Sequence, residues 1–284
     1  MSQTQHFLHE LVGSMSQGAD GNPTVAMIEA AFRHHGLYWR YINLEVTPED
    51  LGTAVKGAKA MGFRGFNCSL PHKVSVIAHL DGLGESAAVM GAVNCVVRRD
   101  GRLIGENTDG KGFLKSLEAL VDPRGKSVVL YGAGGAARAI AVELGLAGVR
   151  RLRIVNRSEA RGAELVGLLR DRLRVDAELV VWRGEHRVPD DTDIVINGTS
   201  IGLYDPEARL PIDLASLRPG MVAADVVFNP VQTRFLAEAA SRGCRPLDGL
   251  GMLVNQGIVG VRYWTGIDPD AGVMRRALEA AMGV

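Results

Sequence analysis

A glycine cluster near the middle of the chain could bind phosphate groups. An apolar run, Val-Val-Leu-Tyr at 128–131, is followed at once by Gly132-Ala133-Gly134-Gly135-Ala136. Gly132 can adopt the backbone angles of a tight turn, Gly134 leaves room for a pyrophosphate, and Ala137 lets the next helix pack closely on the strand. The N-terminus of that helix offers unpaired N–H groups and a positive dipole end. The pattern predicts a strand, loop and helix that bind a dinucleotide.

A second segment discriminates between the two nicotinamide cofactors. The predicted strand at 152–156 ends in Asn156-Arg157-Ser158, and Arg161 follows one turn later. This position lies about 20 residues past the glycine loop, where an Asp or Glu binds the ribose of NAD. No acid stands here. Arg157 and Arg161 could instead bind a 2′-phosphate through charged hydrogen bonds, and Asn156 and Ser158 could donate further ones. We therefore expect NADP, with NAD as the less favoured cofactor.

Two polar segments in the first half of the chain carry a family resemblance. They are Gly-Phe-Asn-Cys-Ser-Leu-Pro-His-Lys at 65–73 and Gly-Glu-Asn-Thr-Asp-Gly at 105–110. With them the chain resembles the shikimate/quinate dehydrogenase family over nearly its whole length. The motifs occur in family order: Asn-x-Ser-x-Pro-His-Lys at 67–73, Gly-Ala-Val-Asn at 91–94, Asn-Thr-Asp-Gly at 107–110, the glycine loop, Asn-Arg-Ser at 156–158, Asn-Gly-Thr-Ser-Ile-Gly at 197–202, Asp-x-x-Phe-x-Pro at 225–230 and Gly-Met-Leu-Val-x-Gln at 251–256.

The resemblance implies an enzyme that passes hydride between NADP and a ring hydroxyl of a cyclic polyhydroxy carboxylate. Lys73 then corresponds to the catalytic lysine of the family and Asp109 to its partner acid. Oxidation of a secondary alcohol needs a group that accepts the hydroxyl proton, or a cation that stabilises the alkoxide. A lysine held by a carboxylate can do either. The competing interpretations are a solvated lysine at a helix start and an aspartate that caps a helix.

The resemblance also implies which other residues bind the two ligands. Asn67, Asn94 and Gln256 match the substrate-binding amides of the family, although a structural amide network would use the same residues. Thr199 and Gly251 fall within family motifs on the cofactor side. His72 and Met252 are interpreted as bystanders.

Several departures from the family pattern fall on the expected substrate side. Counted back from Ala31-Phe32, the serines that grip the substrate carboxylate in the family fall on Asn22 and Thr24, which can still donate hydrogen bonds. Ser14 and Ser16 form another Ser-x-Ser whose spacing from the helix does not fit.

Further along the chain, Ser69 and Cys95 stand where threonines are usual, and Phe228 stands where a tyrosine is common. We expect a divergent member that oxidises shikimate, quinate or a related cyclic hydroxy acid, with shikimate itself as a poor substrate.

Two other functions compete with this hypothesis. A methylene-tetrahydrofolate dehydrogenase-like enzyme shares a two-domain plan and a working lysine, but the segments at 67–73 and 107–110 match the other family in detail. A nicotinamide-sensing regulatory protein would bind the cofactor without turnover. The retained Lys73 and Asp109 count against a sensor, which needs no proton-transfer groups.

Alternating strand and helix patterns predict the elements that must position these residues. We expect an α/β protein: an N-terminal α/β substrate domain with a mainly parallel sheet (1–109 and 251–284), a Rossmann-type NADP-binding domain (110–250), and a cleft between them. Predicted strands are 7–13, 38–46, 65–68, 93–98, 102–106, 127–131, 152–156, 179–182, 193–197 and 221–228; predicted helices are 23–35, 47–61, 71–80, 111–120, 135–147, 158–173, 232–241, 250–264 and 269–282.

Composition narrows the class of partners. The 284 residues are 46% hydrophobic, and 32 acids balance 32 lysines and arginines, so nucleic acid is not an expected partner. Residues 1–10 lack an apolar signal core, and no run of about 18 apolar residues could span a membrane. The three cysteines show neither zinc nor disulfide spacing, and no cluster of metal ligands occurs. We expect a cytoplasmic monomer or homodimer that acts on a small molecule.

Overall fold

The computed structural model describes residues 7–284. The prediction that residues 1–10 lack a signal core therefore falls partly outside the described residues. The chain forms two compact units. Unit 1 contains the residues up to Thr108 together with Gly257–Gly283, and unit 2 contains Asp109–Gln256. Each unit is built on a six-stranded sheet. No helix within residues 7–284 is long and apolar enough to cross a membrane.

Unit 1 has a mixed sheet in the order β2-β1-β3-β5-β6-β4. Strands β1, β2 and β3 are parallel to one another, whereas β5 runs antiparallel to both of its neighbours. The strands are β1 (Glu10–Ser16), β2 (Trp39–Glu45), β3 (Gly65–Cys68), β4 (Gly82–Leu83), β5 (Cys95–Arg99) and β6 (Arg102–Glu106); the helices are α1 (Thr24–His34), α2 (Leu51–Ala60), α3 (His72–Ser75), α4 (Glu85–Met90) and α10 (Ala271–Met282), with 3-10 turns at Ala19–Gly21 and Val76–His79.

A hairpin turn sets the antiparallel pair in unit 1. Asp100 and Gly101 both have positive φ, 50° and 76°, as a tight two-residue turn requires. The core of the unit packs against the sheet through buried side chains such as Phe66, Val96 and Leu103. Asp100 and Gly101 therefore form the turn that connects β5 to β6 in an antiparallel hairpin.

Unit 2 has a parallel sheet in the order β12-β11-β10-β7-β8-β9. Counted within the unit from its first strand, this is the 3-2-1-4-5-6 order of dinucleotide-binding folds. The strands are β7 (Ser127–Tyr131), β8 (Arg151–Asn156), β9 (Asp176–Val181), β10 (Ile194–Asn197), β11 (Val222–Asp225) and β12 (Arg245–Leu247); the helices are α5 (Asp109–Glu118), α6 (Gly135–Leu146), α7 (Glu159–Leu173), α8 (Arg234–Ser241) and α9 (Gly249–Thr265), with a 3-10 turn at Leu214–Ser216. Helix α9 continues from unit 2 into unit 1.

Several features of the fold differ from the sequence prediction. Helix α2 begins at Leu51 rather than at 47, β9 begins at Asp176 rather than at 179, and β11 ends at Asp225 rather than at 228. Strand β1 begins three residues later than predicted, because its register is set by pairing along its whole length with β2. The helix predicted at 71–80 divides into α3 and a 3-10 turn. The short elements β4, α4 and β12 were not predicted, since two to six residues are too few to show a period.

Candidate active site

The glycine loop lines a cavity of about 510 Å³ in unit 2. Its lining includes nine residues predicted to bind a cofactor: Gly132, Ala133, Gly134, Gly135, Ala136, Asn156, Arg157, Arg161 and Thr199. The structure thus brings together residues at or just after the carboxyl ends of β7, β8 and β10, which lie up to 67 positions apart, from 132 to 199. The cavity follows the carboxyl ends of parallel strands, which is where such sheets bind their ligands.

The backbone of the glycine loop explains its composition. Gly132 has φ of +108°, and a Cβ there would lie 2.9 Å from the carbonyl oxygen of Gly198. A Cβ on Gly134 or Gly135 would meet nothing within 4 Å, so the absence of side chains leaves open space in front of the first turn of α6. The unpaired N–H groups of a helix start and that open space fit a pyrophosphate.

The part of the cavity lining that follows β8 suits a phosphate on the ribose. Arg157 and Arg161 are both exposed and line the cavity, and none of its lining residues is Asp or Glu. The Asn156 side chain donates a 2.7 Å hydrogen bond to the carbonyl oxygen of Ser158, which shapes the turn between β8 and α7. Ser158 itself lies outside the lining and caps α7, accepting from the N–H of Arg161 at 3.4 Å.

A buried carboxylate organises two further loops of the cavity. Asp225, 1% exposed at the end of β11, accepts hydrogen bonds from Asn197 Nδ2 (3.0 Å), the Val227 N–H (2.9 Å) and Thr233 Oγ1 (2.7 Å). Burial raises the pKa of the Asp225 carboxyl to about 6, although these hydrogen bonds act in the opposite direction.

The amide of Asn197 extends this network to the cavity wall. Its Oδ1 accepts from the N–H and from Oγ1 of Thr199, at 3.1 and 2.6 Å. Thr199 and Val227 both line the cavity, so a single buried pair supports both loops. The motifs at 197–202 and 225–230 therefore hold two loops of the cavity in place through this pair.

Other residues of unit 2 were not singled out by sequence reasoning. Trp182, Leu203 and Leu253 line the cavity. Two residues with other interpretations also line it: Phe228, noted as a departure on the substrate side, and Met252, interpreted as a bystander. They share only an apolar character, which the sequence does not distinguish from that of core residues. Gly251 lies outside the lining, and its N–H donates to Asp248 Oδ1 at 2.9 Å.

In unit 1 a chain of hydrogen bonds connects the polar segments. The carbonyl oxygen of Lys73, a half-buried residue of α3, accepts from the N–H of Val93 at 2.7 Å. The next residue, Asn94, accepts at Oδ1 from the Thr108 N–H (2.6 Å) and donates through Nδ2 to Thr108 Oγ1 (3.0 Å). Asp109 follows Thr108 directly and begins α5. The motifs at 67–73, 91–94 and 107–108 thus form one connected structure.

Asn67 lies beside a tyrosine that sequence reasoning missed. The hydroxyl of Tyr41, on β2, donates a 2.8 Å hydrogen bond to Asn67 Oδ1, while Asn67 Nδ2 donates to the carbonyl oxygen of Asn94 at 2.9 Å. Tyr41 is 2% exposed, and its burial raises the pKa of the phenol. The sequence presents Tyr41 only as one apolar position of a strand.

The first loop of unit 1 is held by internal hydrogen bonds. Asn22 Oδ1 accepts from the N–H of Thr24, the first residue of α1, at 3.1 Å. Asn22 Nδ2 donates to Asn43 Oδ1 at 3.4 Å, and its carbonyl oxygen accepts from Asn43 Nδ2 at 3.0 Å. Ser14 and Ser16 are buried within β1 rather than placed in this loop.

The remaining predicted residues occupy different environments. Ser69 is exposed, and its carbonyl oxygen accepts from the N–H of His72 at 2.8 Å. His72 is fully buried, with Nε2 2.8 Å from the carbonyl oxygen of Val46. Gln256 is 8% exposed on α9, in unit 2, where its backbone packs closely on Gly112.

The fold and the cavity define a dinucleotide-binding α/β protein with a second α/β unit, and comparison with known proteins places it more closely. The family model for the shikimate dehydrogenase substrate binding domain matches residues 23–96, and that for the shikimate 5'-dehydrogenase C-terminal domain matches residues 249–279.

Individual relatives cover almost the whole chain. Shikimate dehydrogenase (NADP(+)) of Moorella thermoacetica is 43% identical over 261 residues, 90% of this chain and 88% of that protein. Ligand-free 5-ketofructose reductase of Gluconobacter sp. strain CHM43 is 54% identical with a TM-score of 0.95, covering 97% of this chain and 99% of that one. Quinate dehydrogenase from Corynebacterium glutamicum in complex with NAD is 31% identical with a TM-score of 0.88, covering 96% and 99%. The chain belongs to the shikimate dehydrogenase family, which confirms the predicted family and α/β fold.

Proposed function

We propose that this protein is an NADP-dependent oxidoreductase that transfers hydride between the cofactor and a ring hydroxyl of shikimate, quinate or a related cyclic hydroxy acid. One observation carries the cofactor assignment: the cavity of unit 2 joins the glycine loop to Arg157 and Arg161 without any acid in its lining. The family membership and the name of the Moorella relative support both the reaction and NADP.

On the cofactor side, the residues of unit 2 bind NADP and orient it. When bound, NADP supplies the carbon that accepts or donates the hydride. The N–H groups around Gly134 hold the pyrophosphate, and Arg157 and Arg161 hold the 2′-phosphate with charge-assisted hydrogen bonds. Further members of the proposed cofactor set are Gly132, Ala133, Gly135, Ala136, Asn156, Ser158, Thr199 and Gly251.

On the substrate side, Lys73 and Asp109 are the proposed catalytic pair. As the carbon–hydrogen bond of the alcohol breaks, Lys73 Nζ has one of two roles. It accepts the proton of the hydroxyl group, or it stabilises the alkoxide oxygen as a cation. Asp109 holds the lysine in place. The proposed substrate contacts come from Asn22, Thr24, Asn67, Ser69, Asn94 and Gln256.

These assignments give the two parts of the chain different roles. We propose that residues 1–109 and 251–284 form the substrate domain and that residues 110–250 form the NADP-binding domain. We also propose a cytoplasmic monomer or homodimer that binds no nucleic acid. None of the three cysteines forms a disulfide in the described part of the chain, which is consistent with a reducing compartment.

A second candidate function is the reduction of a polyhydroxy ketone that has no carboxylate. Two observations favour it. The Gluconobacter 5-ketofructose reductase is 54% identical over nearly the full length of both chains. In addition, Asn22 replaces a carboxylate-binding serine of the family, and its side chain is already engaged with Thr24 and Asn43. An amide committed in this way has less capacity to bind a carboxylate than a free hydroxyl.

One set of assays distinguishes these candidates. Purified protein is assayed for oxidation of shikimate and quinate with NADP and with NAD, and for reduction of 5-ketofructose with NADPH. Turnover of either acid with NADP supports the first candidate, and turnover of the ketone alone supports the second. Cofactor binding without turnover of any of them would favour the sensor hypothesis and contradict both enzymatic functions.

Two lysine variants, one as the test and one as its control, show whether Lys73 is catalytic. Lys73→Ala is expected to lower kcat by about 100-fold or more, whereas cofactor affinity persists. Lys56→Ala, a change at an exposed position of α2, is expected to change neither. Equal losses of kcat and cofactor affinity in Lys73→Ala would contradict a catalytic role for the lysine.

A further inference from the structure

The hydroxyl of Tyr41 is buried against residues that the proposed function assigns to the substrate. The ring is 2% exposed, and the hydroxyl donates to Asn67 Oδ1 at 2.8 Å. The side chains of Ser14 and Asn22 also face this hydroxyl. Because burial raises the pKa of the phenol, the hydroxyl keeps its proton at neutral pH and acts as a donor.

Asn67 is held at both ends of its side-chain amide. Its carbonyl oxygen accepts from Tyr41, and its nitrogen donates to the backbone carbonyl of Asn94 at 2.9 Å. An amide nitrogen carries two N–H groups, so one of them remains for a ligand. Asn67 is half-buried, which leaves this edge of the amide within reach of a bound molecule.

The orientation of this amide decides what it can recognise. In the observed orientation Asn67 offers an N–H, which suits a hydroxyl oxygen and also a carbonyl oxygen, the acceptor that alcohol oxidation creates. A rotated amide would offer its own oxygen instead, which no carbonyl can satisfy. The backbone carbonyl of Asn94 can only accept, so it requires the first orientation, in which Asn67 Nδ2 faces it. The Tyr41 hydroxyl stabilises the same orientation by donating to Asn67 Oδ1 and so holds the other end of the amide in place.

We propose that Tyr41 is a positioning residue that holds Asn67 as a hydrogen-bond donor to an oxygen of the substrate. This inference rests on the proposed function, because it takes Asn67 as a substrate ligand. It goes beyond that function by giving a specificity role to a buried tyrosine on a different strand.

The test is the Tyr41→Phe variant, which removes one oxygen atom and leaves the ring in place. With the substrate that the wild-type protein turns over, KM for that substrate is expected to rise about tenfold, because an oriented hydrogen bond is lost. KM for the cofactor is expected to stay within about twofold, since the cofactor residues lie in unit 2. Tyr38→Phe, at a 47% exposed position next to the same strand, is the matched control and is expected to change neither constant.

A double-mutant cycle shows whether Tyr41 acts through Asn67. In an Asn67→Ala background, Tyr41→Phe is expected to have little further effect on the KM for the substrate, since the amide that it positions is gone. An equal effect in both backgrounds, an unchanged KM in the folded single variant, or a parallel rise in both KM values would overturn the proposal.

A second variant covers the case in which Tyr41→Phe fails to fold. Asn67→Asp keeps an acceptor for the Tyr41 hydroxyl but removes the N–H, so it is expected to raise the KM for the substrate at least as much. A normal KM in Asn67→Asp would also overturn the proposal. Wild-type turnover is measured first, so a protein inactive on every substrate refutes the proposed function and this inference together, whereas active wild type with indifferent variants refutes the inference alone.

Discussion

The side-chain amide of Asn197 donates a 3.0 Å hydrogen bond to the carboxylate of Asp225, joining the carboxyl ends of the adjacent parallel strands β10 and β11. Both side chains are at most 1% exposed. The same pair supports Thr199 on one side and Val227 on the other, and both residues line the cavity. The geometry of the proposed cofactor site therefore depends on two residues outside its lining.

Replacement of Asp225 by Asn is expected to weaken NADP binding about tenfold, because an NH₂ group would face donors that now meet a carboxylate. The dissociation constant can be measured by calorimetry. Asp190→Asn, at an exposed position that lines no part of the cavity, is the control. An unchanged dissociation constant in a folded Asp225→Asn protein would show that the two loops keep their positions without the carboxylate.

The same residue predicts how stability depends on pH. The Asp225 carboxyl has a folded pKa of about 6 against 3.8 in the unfolded chain, so the folded state retains a proton that the unfolded state loses first. Through this group the free energy of unfolding falls as the pH rises from about 4 to 6, by about 3 kcal/mol in all.

Asp225→Asn lacks this titration, so the difference in unfolding free energy, wild type minus variant, is expected to fall over that pH range. Urea unfolding at several pH values measures it, and other titrating groups cancel in the difference. A difference that stays constant across the range would contradict a raised pKa for Asp225.

Arg157→Ala is expected to raise the KM for NADP about tenfold or more and to leave the KM for NAD nearly unchanged, because a charge-assisted contact to the 2′-phosphate is lost only with NADP. The exposed Arg172, further along α7, gives the matched control Arg172→Ala. Steady-state kinetics with both cofactors provide the comparison. Equal changes with NADP and NAD would show that Arg157 does not contact the 2′-phosphate.

Gly134→Ala is expected to separate cofactor binding from folding. A Cβ at this position meets no atom within 4 Å, and the backbone has φ of −83°, so the thermal midpoint is expected to change little. The same Cβ would occupy space proposed for the pyrophosphate, so NADP binding is expected to weaken about tenfold or more.

The control for this prediction is Gly167→Ala, since that glycine also has open space around it but lies on α7 away from the cavity lining. Calorimetry and thermal unfolding measure the two effects. Normal NADP affinity in Gly134→Ala would place the pyrophosphate elsewhere.

Strong local patterns predicted much of the fold. The strands at 65–68 and 127–131 have the predicted bounds, and α7 begins directly after the Ser158 cap. In each case the information is contained within a few consecutive residues: a short strand that begins at Gly65, an apolar run that ends at Gly132, or a capping side chain before a helix. Strand β1 was misplaced because its limits depend on β2, which lies 29 residues further along the chain, as Glu10 pairs with Trp39.

The sequence by itself determined the residue types that could bind a dinucleotide and the family to which the chain belongs, because these depend on the order and spacing of short motifs. Tertiary structure alone decided which side chains support the site. Asn197 and Asp225 are 28 positions apart, and Tyr41 and Asn67 are 26 apart. The first pair meets because β10 and β11 are adjacent in one sheet, and the second because β2 and β3 lie on either side of β1 in the other. The residues of each pair are far apart in sequence, so no local pattern can record either contact.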